Sequence, residues 1–243
     1  MEPAEPRVLV AIATYNEREN ISGLIQEIHR HCPQVDILII DDNSPDGTGA
    51  MADQFAQSDP RIHVIHRAGK LGLGTAILVG MRYSLEHGYD VHLSMDADFS
   101  HHPRYMPAIL AGAKSCDVMI GSRYVPGGGT VNWPLSRKFM SWAVNTLCRV
   151  LMRFANRDIS GGYRAYRVDL LRRTNIDNLI SRGYSFQEEM LFRCKQAGGK
   201  FGETPIIFED RLRGGSKANF KEIVRSTSIL VYLGVRATLG LSV

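Results

Sequence analysis

Val8-Leu9-Val10-Ala11-Ile12-Ala13, followed at once by Thr14-Tyr15-Asn16-Glu17, is the stretch that decides the fold. A continuous apolar run with no polar alternation marks a strand buried on both faces, as in a parallel sheet between helical layers. The same pattern recurs downstream. Ile37-Leu38-Ile39-Ile40 ends in Asp41-Asp42, Ile62-His63-Val64-Ile65 is a third run, Val91-His92-Leu93-Ser94-Met95 ends in Asp96-Ala97-Asp98, and Val118-Met119-Ile120 is a fifth. Between them lie Ile21, Leu24, Ile25 and Ile28 at helical spacing, a short helix over 47–58, a helix over 74–87 and one opened by Pro103. This β-α-β-α order predicts an α/β fold: a doubly wound, mainly parallel sheet flanked by helices. Ligands of such sheets bind at the carboxyl ends of the strands. The polar groups at Tyr15–Glu17, Asp41–Asp46 and Asp96–Asp98 all fall there.

The pattern changes after Gly121. Pro126-Gly127-Gly128-Gly129 leads to a helix near 135–154, strands near 163–167 and 201–208, a helix near 186–197 and a basic loop from Arg211 to Lys221. A last apolar helix suggests a division into a catalytic unit, 1–220, and a C-terminal segment, 221–243, that docks on a membrane or a partner.

The chain has 243 residues, 44% hydrophobic and 22% charged, which excludes a disordered, collagenous or disulfide-stapled class. Its net charge of +4 hides a split: residues 1–117 carry −7, 118–157 carry +6, 158–210 balance and 211–243 carry +5. Two basic blocks against an acidic half point to a polyanionic partner. Nucleic acid is disfavoured, because no reading helix or stacking platform is visible. Cys32, Cys116, Cys148 and Cys194 form no CxxC pair, so buried free thiols are expected. The acidic start, Met1-Glu2-Pro3, lacks a signal-peptide core, and no apolar run reaches the ~18 residues of a membrane span. Any membrane role is expected to be peripheral.

The strand ends carry the chemistry. Asp96 and Asp98, two residues apart, can both turn toward a ligand, and hard cations such as Mg2+ or Mn2+ favour carboxylates with a diphosphate as co-ligand. Asp42 can accept hydrogen bonds from a ribose or base, while Ser44 and Asp46 shape the turn and cap a helix. Gly72-Leu73-Gly74 follows the third strand and lacks a third glycine, so it reads as tight packing, not a dinucleotide fingerprint. His101-His102 read either as metal ligands or as residues flanking a helix start at Pro103. Arg123 follows the fifth strand. Arg211, Arg213 and Lys217 lie in a glycine-containing loop able to fold over a polyphosphate.

Taken together, Ala13-Thr14-Tyr15-Asn16-Glu17, Asp41-Asp42-Asn43-Ser44-Pro45-Asp46-Gly47-Thr48, Gly72-Leu73-Gly74, Asp96-Ala97-Asp98-Phe99-Ser100-His101-His102-Pro103, Gly121-Ser122-Arg123-Tyr124, Ser160-Gly161-Gly162-Tyr163-Arg164, Gly183-Tyr184-Ser185-Phe186-Gln187, Pro205-Ile206-Ile207-Phe208-Glu209-Asp210-Arg211 and Gly215-Ser216-Lys217 form a recognisable set. The chain resembles the dolichyl-phosphate mannose synthases, also called polyprenol monophosphomannose synthases. These are family 2 inverting glycosyltransferases with a GT-A fold. The resemblance runs from about Arg7 to Lys221.

The resemblance implies donor contacts at Ala13, Tyr15, Glu17, Ile40, Asp42, Asp96, Ala97, Asp98, Arg123, Arg211 and Lys217. It places Mg2+ or Mn2+ at Asp96 and Asp98, with Ser100 as a weaker third ligand. Arg123 and Arg137 are candidates for the acceptor phosphate. The implied donor is GDP-mannose and the implied acceptor a dolichyl or other polyprenyl phosphate. Transfer from UDP-glucose to the same acceptor, and a non-catalytic nucleotide-sugar-binding protein, are the alternatives. A phosphate nucleophile has a second pKa of about 6 and needs no strong general base. Three departures from the family pattern stand out: Ala13 where proline is common, Asn43 where glycine is common, and Ser100 where some relatives have glutamine.

A lipid acceptor implies a cytoplasmic enzyme on the cytosolic face of a membrane, endoplasmic reticulum or plasma membrane. On the 135–154 helix, Lys138, Trp142, Asn145, Arg149 and Arg153 share one face. Met140, Ala143, Val144, Leu147, Leu151 and Phe154 share the opposite one. The helix either lies at a membrane interface on its basic face or packs on the sheet with that face solvated. The end at Val243 suggests the anchorless type, served by a membrane-anchoring subunit.

Overall fold

The computed structural model describes residues 5–181, 183, 185–209, 228–230 and 232–236. Its centre is a seven-stranded sheet in the order β3-β2-β1-β4-β7-β5-β8, built from β1 (Val8–Thr14), β2 (Asp36–Asp41), β3 (Ile62–His66), β4 (Val91–Asp96), β5 (Val118–Ser122), β7 (Arg164–Arg167) and β8 (Phe201–Pro205). A separate pair joins β6 (Gly129–Val131) to β9 (Ile207–Glu209). Every neighbouring pair is parallel except where β7 runs antiparallel between β4 and β5. The expected mainly parallel α/β sheet is therefore present, with one reversed strand inside it.

The continuous apolar runs follow from burial on both faces. Val8, Val10 and Ile12 pack with Ile21, Leu24, Ile25 and Ile28 of α1 (Arg18–His31), whereas Leu9 and Ala11 pack with Leu38, Ile40 and Ala76 on the other side. Alternate residues thus enter two cores, and the polar side chains that β4 does bury, His92 and Ser94, hydrogen-bond each other at 2.9 Å. Gly80 lets α3 (Leu73–Glu86) close on the sheet: a Cβ there would lie 2.8 Å from that of Ala11. The helix opened by Pro103 is a single 3-10 turn, Pro103–Tyr105, followed by α4 (Met106–Gly112). Sequence periodicity missed the short α6 (Val168–Arg173), which has too few residues for a period to register.

Register aligns the strand ends that matter. Ala13 lies opposite Ile40 on one side and Asp96 on the other, and Thr14 lies opposite Asp41. Beyond α2 (Thr48–Ser58), the second half adds α5 (Leu135–Leu151) and α7 (Phe186–Gln196). Residues 228–230 and 232–236 are helical. Leu230 and Leu233 enter the core, and a Cβ on Gly234 would lie 2.8 Å from that of Leu151. This segment packs on the end of α5, while Tyr232 and Val235 stay exposed.

Candidate active site

Three loops leaving β1, β2 and β4 build one edge. Asn16, Asn43 and Phe99 all adopt left-handed backbone, with φ near 60° (62°, 56° and 62°). Asparagine tolerates this conformation, which explains how Asn43 can replace glycine. Phe99 is bulky and tolerates it poorly, so the turn just after Asp98 is held under strain by its surroundings.

The β2 loop organises itself. Asp41 is buried and accepts hydrogen bonds from Thr14 Oγ1 at 3.0 Å, Ser44 N at 3.0 Å and Ser44 Oγ at 2.6 Å. Asp46 accepts from Thr48 N at 3.0 Å, Thr48 Oγ1 at 2.6 Å and Arg18 N at 3.1 Å, tying the starts of α1 and α2 together. Asp42 is buried against Arg67, whose Nε lies 3.1 Å from its Oδ1. Burial pushes the Asp42 carboxyl above its ordinary value despite the nearby guanidinium. Arg67, absent from the sequence reading, therefore fixes the carboxylate expected to meet a base or ribose. Glu17 stands at the start of α1 and accepts from Asn20 Nδ2 at 2.7 Å. Tyr15 is partly exposed under Lys70, whose Nζ lies 4.5 Å from its ring centroid.

Asp96 lines a cleft together with Ala13, Ile40, Ser94, Gly162 and Gln187, and Asp98 follows two residues later on the loop leaving β4. The Asp96 side chain is 36% exposed. Asp98 Oδ1 accepts from Ser100 N at 3.1 Å. Ala97 between them is buried. His101 Nδ1 accepts from Asp96 N at 3.0 Å and lies 3.5 Å from Asp96 Oδ2. The His101 ring is buried, stacked on Tyr163 at 4.9 Å. His102 Nδ1 accepts from Arg104 N at 3.2 Å and caps the 3-10 turn. Of the two readings for this pair, the structure shows backbone anchoring and helix capping.

The donor set suits a hard divalent cation that keeps phosphate ligands. Two carboxylates, Asp96 and Asp98, lie two residues apart, and the buried Ser100 hydroxyl has no hydrogen-bond partner among the described residues. No group of three His, Cys, Asp or Glu side chains forms a cage among those residues, so phosphate oxygens would have to complete the shell.

Arg123 differs from a freely extended phosphate ligand. Its Nε and Nη2 bind Asp158 at 2.7 and 2.6 Å, and its Nη2 also donates to Ser160 Oγ at 2.9 Å. The Arg123 and Asp158 side chains are 8% and 0% exposed. Burial would raise the Asp158 carboxyl, but the adjacent guanidinium more than offsets this and holds it low. Arg123 and Arg137 approach one ring: their guanidinium carbons lie 5.4 and 4.1 Å from the Trp133 centroid. Arg211, Arg213 and Lys217 lie outside the described residues.

The faces of α5 depart from the sequence expectation only in part: Lys138 and Trp142 are exposed and Val144 packs against the core, as expected. Asn145 is buried, not solvated, while Met140 and Leu147 from the supposed packing face are exposed. The cause is a polar clamp. Asn145 Oδ1 accepts from Ile159 N at 2.7 Å and Ser160 N at 3.0 Å, and its Nδ2 donates to Ser160 Oγ at 2.9 Å. These bonds turn Asn145 and Cys148 inward and leave Leu135, Phe139, Trp142 and Val150 in solvent.

Next to Gln187 on α7 stands a buried acid. Glu188 is fully buried, its Oε2 has no partner among the described residues, and burial raises its pKa from 4.5 to about 7. The unfolded chain loses this proton near pH 4.5 and the folded chain near 7, so stability falls as pH rises through that window and levels off above it. Glu188→Gln should flatten the difference between urea midpoints at pH 5 and pH 8.

A family model described as glycosyl transferase family 2 matches residues 9–174. The chain belongs to glycosyl transferase family 2. This family 2 chain is 44% identical over 242 residues to an undecaprenyl-phosphate mannosyltransferase of Micrococcus luteus, covering 97% of the chain and 100% of the relative. It is 45% identical over 238 residues to a polyprenol monophosphomannose synthase of Mycolicibacterium smegmatis, covering 96% and 89%. Among solved structures it matches glucosyl-3-phosphoglycerate synthase from Mycobacterium tuberculosis, crystallised with Mn2+, UDP and glucosyl-3-phosphoglycerate. That match has a TM-score of 0.64 at 16% identity and covers 99% of this chain and 82% of the other. At that identity the likeness shows the shared GT-A-type fold.

Proposed function

We propose that this family 2 glycosyltransferase moves mannose from GDP-mannose to a dolichyl or other polyprenyl phosphate, with inversion at the anomeric carbon. A phosphate oxygen of the acceptor attacks C1, the bond from C1 to the donor's β-phosphate oxygen breaks, and GDP leaves. The observation that carries this reading is the chemistry of the cleft: among the described residues, Asp96 is the one titratable side chain lining it. A hydroxyl acceptor would require a proton acceptor in addition to a metal ligand. A phosphate with a second pKa of about 6 arrives already ionised. The near-full-length relatives named for polyprenyl-phosphate mannosyl chemistry support the same acceptor class.

Each group then has a task. Asp42, fixed by Arg67, receives the base or ribose, and Tyr15, Glu17, Ala13 and Ile40 frame the nucleotide. Asp96 and Asp98, with Ser100, would hold Mg2+ or Mn2+, which supplies charge neutralisation for the departing diphosphate. Arg211 and Lys217 are assigned to the same diphosphate, and Arg137, beside Arg123 on Trp133, to the acceptor phosphate. The catalytic unit is assigned to 1–220 and the docking segment to 221–243.

No helix among the described residues is long and apolar enough to cross a membrane. The exposed Leu135, Phe139, Trp142 and Val150 of α5, edged by Lys138, support peripheral seating on the cytosolic face of a membrane that holds the acceptor. A membrane-anchoring subunit would serve the same end.

The deciding experiment offers several nucleotide sugars with a polyprenyl phosphate, with and without chelator. Mannosyl transfer from GDP-mannose, lost on chelation and restored by Mg2+ or Mn2+, is expected. Transfer only from UDP-glucose would overturn the donor assignment.

A further inference from the structure

Helix α7 runs through the protein interior. From Ser185 to Cys194 every residue is buried except Gln187, which opens into the cleft. Its placement is tightly made. The Gln187 carbonyl accepts from the buried Arg164 Nη1 at 2.8 Å, fixing its backbone from below. Gly162 makes room for the side chain: a Cβ there would lie 3.3 Å from Gln187 Nε2. The polar side chains lining the cleft are then Ser94, Asp96 and Gln187 among the described residues. Nothing in the reaction as derived so far uses Gln187.

We propose that the Gln187 amide hydrogen-bonds a hydroxyl of the transferred sugar and sets which sugar is accepted, an assignment that rests on the glycosyl-transfer reading above. An amide presents one acceptor and two donor hydrogens, which matches a hydroxyl that both donates and accepts. It is also neutral. A carboxylate at this place would face a dianionic phosphate nucleophile across the cleft and repel it. A site built to hydrogen-bond a hydroxyl rejects an analogue that presents it wrongly far more strongly than an apolar wall does.

The test compares wild type, Gln187→Ala and Gln187→Glu, each first shown to melt as wild type does. Calorimetry measures GDP and GDP-mannose separately, and turnover is measured with GDP-mannose and its C2 epimer GDP-glucose. For Gln187→Ala, GDP affinity should stay within about two-fold, while kcat/KM for GDP-mannose falls about 10- to 100-fold and the preference between epimers narrows. Gln187→Glu should keep GDP affinity and lose more in kcat than Gln187→Ala does. The assignment is overturned if Gln187→Ala matches an active wild type in both kcat/KM and epimer preference. It is equally overturned if GDP and GDP-mannose affinities fall by one common factor. Should wild type transfer no sugar at all, the transferase reading fails instead, and the comparison of GDP with GDP-mannose binding still decides Gln187.

Discussion

Asp98→Ala is expected to lower turnover by at least about 100- to 1000-fold while the protein keeps its fold. Asp98 sits on a loop beyond the end of β4, is only partly buried, and bonds the adjacent Ser100 N at 3.1 Å. Little of the core depends on it. In the proposed reaction, however, it is one of the two carboxylates that would hold a cation facing the leaving diphosphate. The check is sugar transfer at saturating Mg2+ or Mn2+, alongside circular dichroism and a thermal melt. Unaltered turnover would refute the role. A partial loss relieved by raising the metal concentration would show that Asp98 sets affinity and that Asp96 carries the remainder.

Asp158→Ala is expected to have the largest effect on stability. It removes both carboxylate oxygens from the buried Arg123 fork and from Gly161 N, which donates to Oδ1 at 2.9 Å. Breaking one side of a buried, hydrogen-bonded ion pair costs about 3–5 kcal/mol, because the remaining charge is stranded. Urea unfolding measures this directly. Removing both charges in Arg123→Met/Asp158→Leu should recover much of the loss, since desolvation of the orphan, not absence of the attraction, dominates it. A cost below about 1 kcal/mol would mean the pair behaves as a surface bridge.

Most of the nucleotide half could be read from sequence, for a physical reason. Strands buried on both faces are predominantly apolar, so Val8–Ala13 and Ile37–Ile40 announce themselves, Val91–Met95 does so despite His92 and Ser94, and the acidic residues after them mark the edge. The turn chemistry around Asp46 and the capping role of His102 follow local rules that also leave a trace in sequence. What escaped depends on partners distant in the chain. Arg67 acquires its meaning from Asp42, Arg123 from Asp158, and Gln187 from Gly162 and Arg164. The α5 error has the same origin. An amphipathic pattern places the boundary between two faces only coarsely, and a single asparagine with three partners at residues 159 and 160 shifts it, so that Asn145 turns inward while Met140 and Leu147 stay outside.

That clamp sets an elevation. Because Asn145 pins α5 to the loop carrying Ser160, and Ser160 is pinned in turn to Arg123, the greasy surface of the helix and the Arg123 guanidinium beside Trp133 are joined in one bracket. On the proposed seating, a lipid headgroup is met at a fixed distance above the hydrocarbon boundary, and the tail below it is never gauged. Rates measured in bilayers should then follow the headgroup and stay level as isoprene units are added to the chain.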